Sequence, residues 1–411
     1  MLDVAIAGAG IGGLTAALSL AKAGLSVRVF EQVREIRPLG VGINLLPHSV
    51  RHLFELGLAD VLDATGIRTS ELRYVTKRGE LIWREPRGLG AGYRWPQFSI
   101  HRGRLQGLLL DAVRERLGPE AVVLDHAARA VESHGDRAVL SAGGAEIEAR
   151  LVIAADGIHS ALRARLYPDE GPPLWNGAIL WRATTEALPY LDGHTMCMCG
   201  HERQKFVCYP ITPAGADGRA TINWIAERRY PIDRAWRRED WNRPGDLDEF
   251  LPVFSGWRFP WLDVPQLICD AASVYEYPMV DREPLARWTF GRMTLLGDAA
   301  NPMYPIGSNG ASQAILDARA LAASVMRLGP TPGALAVYEA ERRPKTGLIV
   351  LANRKNGPEQ VMQIVEDRAP NGFADLDQVV SRAELEGIAA TYKRLAGFDP
   401  AILNAEPDLF A

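Results

Sequence analysis

The 411 residues are too many for one ordinary hydrophobic core and too few for three, so two interlocked domains and a tail are expected. Apolar residues make up 47% and charged residues 23%, which excludes a disordered or fibrous chain. With 46 basic against 50 acidic residues and a net charge of −4, no field favours nucleic acid or an anionic membrane as partner, and small molecules are expected instead.

Residues 4–7 form a short apolar run, glycines follow, and Leu14, Leu18 and Ala21 repeat at helical spacing until Gly24. Val27, Val29 and Phe30 read as a second strand, which completes a strand-helix-strand unit of a parallel sheet. Residues 4–20 do not read as an export signal: Asp3 rather than a basic segment precedes them, and four glycines interrupt them. No other run approaches the ~20 apolar residues that span a bilayer, so a cytoplasmic protein is expected. Gly8, Gly10 and Gly13, with Gly12 between, fit the G-x-G-x-x-G turn that lets backbone approach a pyrophosphate at a helix N-terminus. Glu31 ends the second strand, where a carboxylate accepts hydrogen bonds from ribose hydroxyls and disfavours a 2′-phosphate. The expected ligand is NAD or FAD rather than NADP.

Residues 101–117 place Leu105, Leu108, Leu109, Ala112 and Val113 on one helical face, and residues 122–124 and 151–154 read as further strands. Between 174 and 227 the pattern changes to short β-rich runs at 178–184, 205–211 and 220–226, a different domain. Cys197 and Cys199 share one side of such a strand and read as packing residues rather than a redox pair. Parallel-sheet character returns at 293–296, followed by a glycine-rich loop and a helix at 311–327. The tail reads as helical from Leu335, interrupted near Pro344, with further helices at 354–363 and 382–395. The four cysteines and eight histidines show no metal-ligand spacing, so no metal is expected.

Two later features choose between the dinucleotides. Residues 151–157 (LVIAADG) end a strand in Asp156-Gly157 before a segment with Ser160 and Arg163, and residues 295–300 (LLGDAA) place Asp298 ahead of Pro302, Pro305, Gly307, Ser308, Asn309 and Gly310. In this order and spacing the three motifs resemble the FAD-dependent aromatic hydroxylases of the p-hydroxybenzoate hydroxylase type, over nearly the whole chain up to about residue 355. The segments 35–44 (EIRPLGVGIN), 71–74 (ELRY), 85–88 (EPRG), 99–103 (SIHRG), 277–282 (YPMVDR) and 309–316 (NGASQAIL) look like the phenazine-modifying branch of that family, the 5-methylphenazine-1-carboxylate 1-monooxygenase type.

The resemblance implies an α/β fold: a Rossmann-like FAD-binding domain of the glutathione-reductase type (1–70, 98–172 and 275–345) interlocked with a β-rich substrate domain (71–97 and 173–274), then a helical C-terminal segment (346–411). It implies that Asp298 binds the ribityl chain, Arg102 the cofactor, and Asp156 with Gly157 both FAD and a visiting NADH or NADPH. Gly42, Ile43 and Asn44 would lie against the isoalloxazine ring, with Gly40 and Gly42 allowing close approach or serving an ordinary turn. Pro305, Gly307, Asn309 and Gly310 would lead a helix N-terminus to the flavin pyrimidine edge. Asn301 departs from the family, which commonly has histidine there.

In the implied reaction NAD(P)H reduces FAD, O2 gives a C4a-hydroperoxyflavin, and an oxygen atom passes to an electron-rich ring. The expected substrate is an aromatic or N-heteroaromatic small molecule of specialised metabolism, carboxylated or not, hydroxylated with or without loss of CO2. An FAD-dependent reductase or dehydrogenase without oxygen transfer, or a non-catalytic flavoprotein, would carry the same motifs. Trp181, Arg182, Tyr209, Trp224, Tyr304 and Pro305 are candidates for the substrate wall, since aromatic faces suit a flat ligand. Trp181 and Trp224 fit a sheet core equally well, and Arg182 fits either a substrate carboxylate or an ion pair. No nucleic acid or membrane partner is expected, and the residues leave monomer and homo-oligomer open.

Overall fold

The computed structural model describes residues 1–38, 40–236 and 243–411. Leu39 of the segment 35–44 and residues 237–242 of the expected substrate domain lie outside the described residues. Val4, Ala5, Ile6 and Ala7 are buried on both faces of the strand Leu2–Ala7, as a central parallel strand requires. This strand pairs in parallel with Val27–Phe30 on one side and Ala145–Ala154 on the other, and Met293–Leu295 extends the sheet next to Ala145–Ala154. The ends of these strands bring residues 8–13, 31, 155–157 and 296–298 to one edge, where a parallel α/β sheet places its ligand. The helix Ile11–Lys22 packs between Arg102–Leu117 and Gly310–Leu328.

A second sheet runs in the order Tyr275–Asp281, Leu174–Ala187, Ala220–Arg229, Gln204–Pro210, Thr195–His201, Glu71–Val75, Leu81–Pro86. Tyr275–Asp281, which the expected boundary at 275 assigned to the first domain, pairs with Leu174–Ala187 and so belongs to this sheet. Side chains alternate between two packed faces. One face carries Trp181, Ala183, Cys197, Cys199, Phe206, Cys208 and Trp224 into a core with Phe250 and Phe254. The other carries Leu72, Tyr74, Met196, Met198, Val207 and Tyr209. Cys197 and Cys199 are packed in the first of these cores, and burial holds both thiols well above their ordinary pKa, in the unreactive form.

The C-terminal helices differ from the expected pattern. Pro332–Asn353 continues through Pro344, an exposed position where the carbonyl left without its N–H partner can turn to water. The chain then reverses at Asn356 (φ +64°) and Gly357 (φ +45°), so the helix expected at 354–363 begins only at Gln360–Arg368. Val361, Met362, Val365, Val380 and Leu385 pack on the Met196 and Met198 face of the second sheet. The tail is therefore a third wall over that face. No helix among the described residues is long and apolar enough to cross a membrane.

Candidate active site

The turn after Leu2–Ala7 is shaped for close backbone approach. Gly8 has φ +101°, and a Cβ on it would lie 2.4 Å from the Ala155 carbonyl oxygen. A Cβ on Gly13 would lie 2.0 Å from the Gly8 carbonyl oxygen, so the helix sits against the turn only with glycine there. Gly12 serves packing, since its Cβ would meet Leu296 Cδ2 at 2.9 Å. Gly10 differs: beyond its own chain neighbours, no atom of the described residues comes within 4 Å of a Cβ placed on it. It also caps Ile11–Lys22 without a side-chain hydrogen bond, which leaves the first N–H groups and the positive end of the helix turned to open space. Glu31 borders that space, its Oε2 accepting from Ala9 N–H at 2.7 Å and its Oε1 from Val33 N–H at 3.1 Å. An uncapped helix, an open cradle and an adjacent carboxylate fit a dinucleotide with free ribose hydroxyls.

Asp156 Oδ2 accepts from Leu162 N–H at 3.3 Å, whereas its Oδ1 is buried with no hydrogen-bond partner among the described residues. Burial raises its pKa against the pull of Ser160 and nearby backbone N–H groups. Gly157 follows at φ +79°. Ser160 caps Ala161–Leu166, and Arg163 in that helix donates to Ala299 O at 3.0 Å and Ala300 O at 2.9 Å. Arg163 thus clamps the turn at 156–157 to the turn at 297–300. Gly297 N–H donates to Asp317 Oδ2 at 3.1 Å, and Asn301 Nδ2 reaches the same oxygen at 3.3 Å. Asn301 therefore braces the turn through Asp317, which Arg342 Nε holds from the other side at 2.7 Å. Asp298 is exposed, in the turn that follows Met293–Leu295. Desolvation by the surrounding protein raises its pKa, Arg102 draws it down and Asp317 adds to the rise.

Gly42 joins the two sheets. Its N–H donates to Asn223 Oδ1 at 2.7 Å, and its carbonyl accepts from the Tyr209 hydroxyl at 2.8 Å and an Arg182 amino group at 3.0 Å. A Cβ on Gly42 would lie 2.7 Å from Asn223 Cβ, so the close approach itself requires glycine. Ile43 pairs with Ile100 in the strand Phe98–His101 that leads into Arg102, whose exposed side chain runs past Gly40. On the opposite side of the cleft Pro305 is exposed, and Gly307 (φ +69°) and Ser308 (φ +55°) turn the chain into Gly310–Leu328. Gly307 N–H donates to Glu359 Oε1 at 3.2 Å. Asn309 is buried, its Oδ1 accepting from Gln313 Nε2 at 3.0 Å while its Nδ2 has no partner among the described residues.

The expected substrate wall needs correction. Trp181 is fully buried and stacked on Phe250 at 4.6 Å, and Trp224 donates from its indole to Thr185 Oγ1 at 2.9 Å, both on the face away from Gly42. Alternation in the strand decides this: Arg182 and Asn223, their immediate neighbours, are the ones that reach Gly42. Arg182 and Tyr209 dock the strand Gly42–Leu45, and Tyr304 packs with Leu180, Tyr277 and Met279. Trp224→Phe should therefore cost about 1–2 kcal/mol of stability in urea unfolding, from a lost buried hydrogen bond and a small cavity, with KM unchanged. A raised KM at unchanged stability would return Trp224 to the substrate.

A small cavity next to the 307–308 turn is lined by different residues: Leu46, Leu72, Met196, Met198, Tyr392 and Phe398 among its apolar ones. Glu85, Arg87, Gln97 and Lys393 also border it. The segment 85–88 had stood out in the sequence without an assigned role. Tyr392 and Lys393 belong to Arg382–Ala396, whose buried Leu385, Tyr392 and Ala396 follow the helical repeat that would have marked an inward face.

The family model described as FAD binding domain matches residues 1–249. The chain is 44% identical to a phenazine 1,6-dicarboxylic acid hydroxylase of Lysobacter antibioticus over 96% of this chain and 97% of that protein. It is 35% identical to a 3-amino-4-hydroxybenzoate 2-monooxygenase of Streptomyces platensis, covering 87% of this chain and 88% of that one. The solved structure of Klebsiella pneumoniae HpxO complexed with FAD and uric acid shares the fold, with a TM-score of 0.71 at 24% identity, over 99% of this chain and 96% of that one. With the uncapped helix at Gly10, the two turns clamped by Arg163 and this full-length likeness, the chain belongs to the FAD binding domain family and is an FAD-dependent aromatic hydroxylase, a monooxygenase.

Proposed function

We propose that this enzyme uses NAD(P)H and O2 to hydroxylate a planar N-heteroaromatic carboxylate of the phenazine type, in the cytoplasm. The observation that carries the substrate class is the cavity beside Gly307 and Ser308, lined by Leu46, Leu72, Met196, Met198 and Phe398 and bordered by Glu85, Arg87 and Lys393. FAD, when bound, supplies the oxygen-activating chemistry. Gly8, Gly10, Gly12, Gly13 and Glu31 hold its ADP half, and Asp156, Gly157, Asp298 and Arg102 its middle. Gly42, Ile43 and the segment from Pro305 to Gly310 enclose its reacting end.

The protein's own part in the reaction is positional. Asn223, Tyr209 and Arg182 fix Gly42, and Glu359 fixes Gly307, so the two sides of the cleft keep a constant spacing while a substrate enters. The helix Arg382–Ala396 and the turn after it close the cavity with Tyr392 and Phe398 and keep water from the ring being oxidised. Free cysteines, three of them buried, agree with a reducing compartment.

The test is oxidation of NADH and of NADPH by the FAD-loaded enzyme with phenazine-1,6-dicarboxylate, phenazine-1-carboxylate and simple hydroxybenzoates, with product masses. Stimulated oxidation with gain of one oxygen, or exchange of a carboxyl for a hydroxyl, is expected from the phenazines. Stimulation by hydroxybenzoates alone would overturn the substrate class, and turnover without O2 consumption would favour a reductase.

A further inference from the structure

One end of the cavity is charged. Glu85 Oε2 accepts from Arg87 Nη2 at 2.9 Å, and Glu85 Oε1 lies 2.6 Å from Lys393 Nζ. Two cations share one carboxylate, so these three side chains together carry one net positive charge. Side-chain exposures of 12% for Arg87, 6% for Glu85 and 20% for Lys393 leave water little room to compensate it. Of the nearby acids, Glu359 shares the single cation Lys205 with Glu227 and also accepts from Gly307 N–H, and Asp399 holds the backbone of the next helix through Ala401 N–H at 3.0 Å. Arg87 Nε is buried without a hydrogen-bond partner among the described residues, and so is Oε1 of Gln97, a residue 2% exposed. A guanidinium N–H without a partner and an ammonium with further protons to donate are the donors that a planar oxyanion takes, whereas the free Gln97 atom is an acceptor and adds none.

We infer that Arg87 and Lys393 hold the carboxylate of the aromatic substrate, with Gln97 beside them and Glu85 orienting both cations, while the ring lies along Leu72, Met196 and Met198. This rests on reading the cavity as the substrate site. Arg182, the cation that the sequence suggested for this role, is bonded to the Gly42 carbonyl and lines no part of the cavity. Recognition of charge is thus divided between the end of the strand Leu81–Pro86, with Arg87 just after it, and the tail helix Arg382–Ala396. Glu85 also sets a limit: with one carboxylate already in place, the end accepts a single negative charge.

The test compares phenazine-1-carboxylate with phenazine-1-carboxamide, planar tricycles that differ in charge, by equilibrium titration of the FAD-loaded enzyme without reductant. Lys393→Met should weaken carboxylate binding about tenfold or more, the size of a lost charge-assisted hydrogen bond, and leave the carboxamide within about twofold. Lys393→Arg should restore most of the preference. Flavin content and melting temperature report whether each variant is folded, and Arg87→Gln gives a second variant on the other side of Glu85. Ala389→Trp, which fills the cavity, should weaken both compounds. If Ala389→Trp blocks both while Lys393→Met and Arg87→Gln keep the wild-type preference for the carboxylate, the anion site is wrong and the cavity reading stands. If Ala389→Trp folds and changes neither, the cavity is not the substrate site and both readings fall.

Discussion

Gly8→Ala should yield a protein that purifies without its yellow cofactor. At φ +101° an alanine is strained before any contact is counted, at about 1–3 kcal/mol. The added Cβ then meets backbone, 2.4 Å from Ala155 O and 2.8 Å from Ala155 C, so no side-chain rotation relieves it. Relief requires the strands Leu2–Ala7 and Ala145–Ala154 to part where Ala7 pairs with Ala154. That moves the turn at 156–157 away from the helix N-terminus, and FAD affinity should fall by about 100-fold or more, read by fluorescence titration of the apoprotein. Gly10→Ala separates cofactor from fold. Beyond its own chain neighbours, its Cβ meets no atom of the described residues within 4 Å, so the apoprotein should keep its stability to within about 0.5 kcal/mol and still lose FAD affinity. Normal FAD binding by Gly10→Ala would show that the open space is not the cofactor's path.

The fold around the proposed cofactor half of this site was legible because its chemistry imposes spacing. A pyrophosphate against a helix N-terminus demands glycines at fixed offsets, and Glu31 must stand at the end of the next strand; neither needs tertiary information. The substrate half was not. In a sheet packed on both faces, period-2 alternation groups Trp181 with Trp224 and Arg182 with Asn223 but does not say which group faces the cleft. Aromatic character pointed to the tryptophans, and the aromatic core of Phe250 and Phe254 claimed them instead. Lys393 was hidden for another reason: it joins Glu85 across 308 residues, and nothing in either segment announces the pairing. The Pro344 error came from treating proline as a helix stop, where an exposed position in a long helix bears the lost bond.

Lys205→Met should be the most destabilising of these substitutions at neutral pH, and its cost should shrink as the pH falls. Lys205 stands opposite Glu227 in neighbouring strands and is held between that carboxylate and Glu359 of the tail, with all three side chains nearly sealed from water. Methionine fills the space but leaves two carboxylates buried without their cation, a loss of about 3–5 kcal/mol. In the native protein burial already raises the Glu227 pKa, and Lys205 is the main group drawing it back down. Without Lys205 it rises further. A raised folded-state pKa means that the folded form binds the proton more tightly than the unfolded form. Its contribution is favourable at low pH and is lost as pH rises through the folded value. The difference in unfolding free energy between wild type and Lys205→Met should therefore narrow between about pH 8 and about pH 5, measured by urea unfolding of the apoproteins. A difference that stays flat or widens would mean that the unpaired carboxylates are not its source. Because Glu359 also accepts the Gly307 N–H, release of the tail loosens the turn on the far side of the cleft, and the folded fraction of Lys205→Met should hold FAD less tightly than wild type.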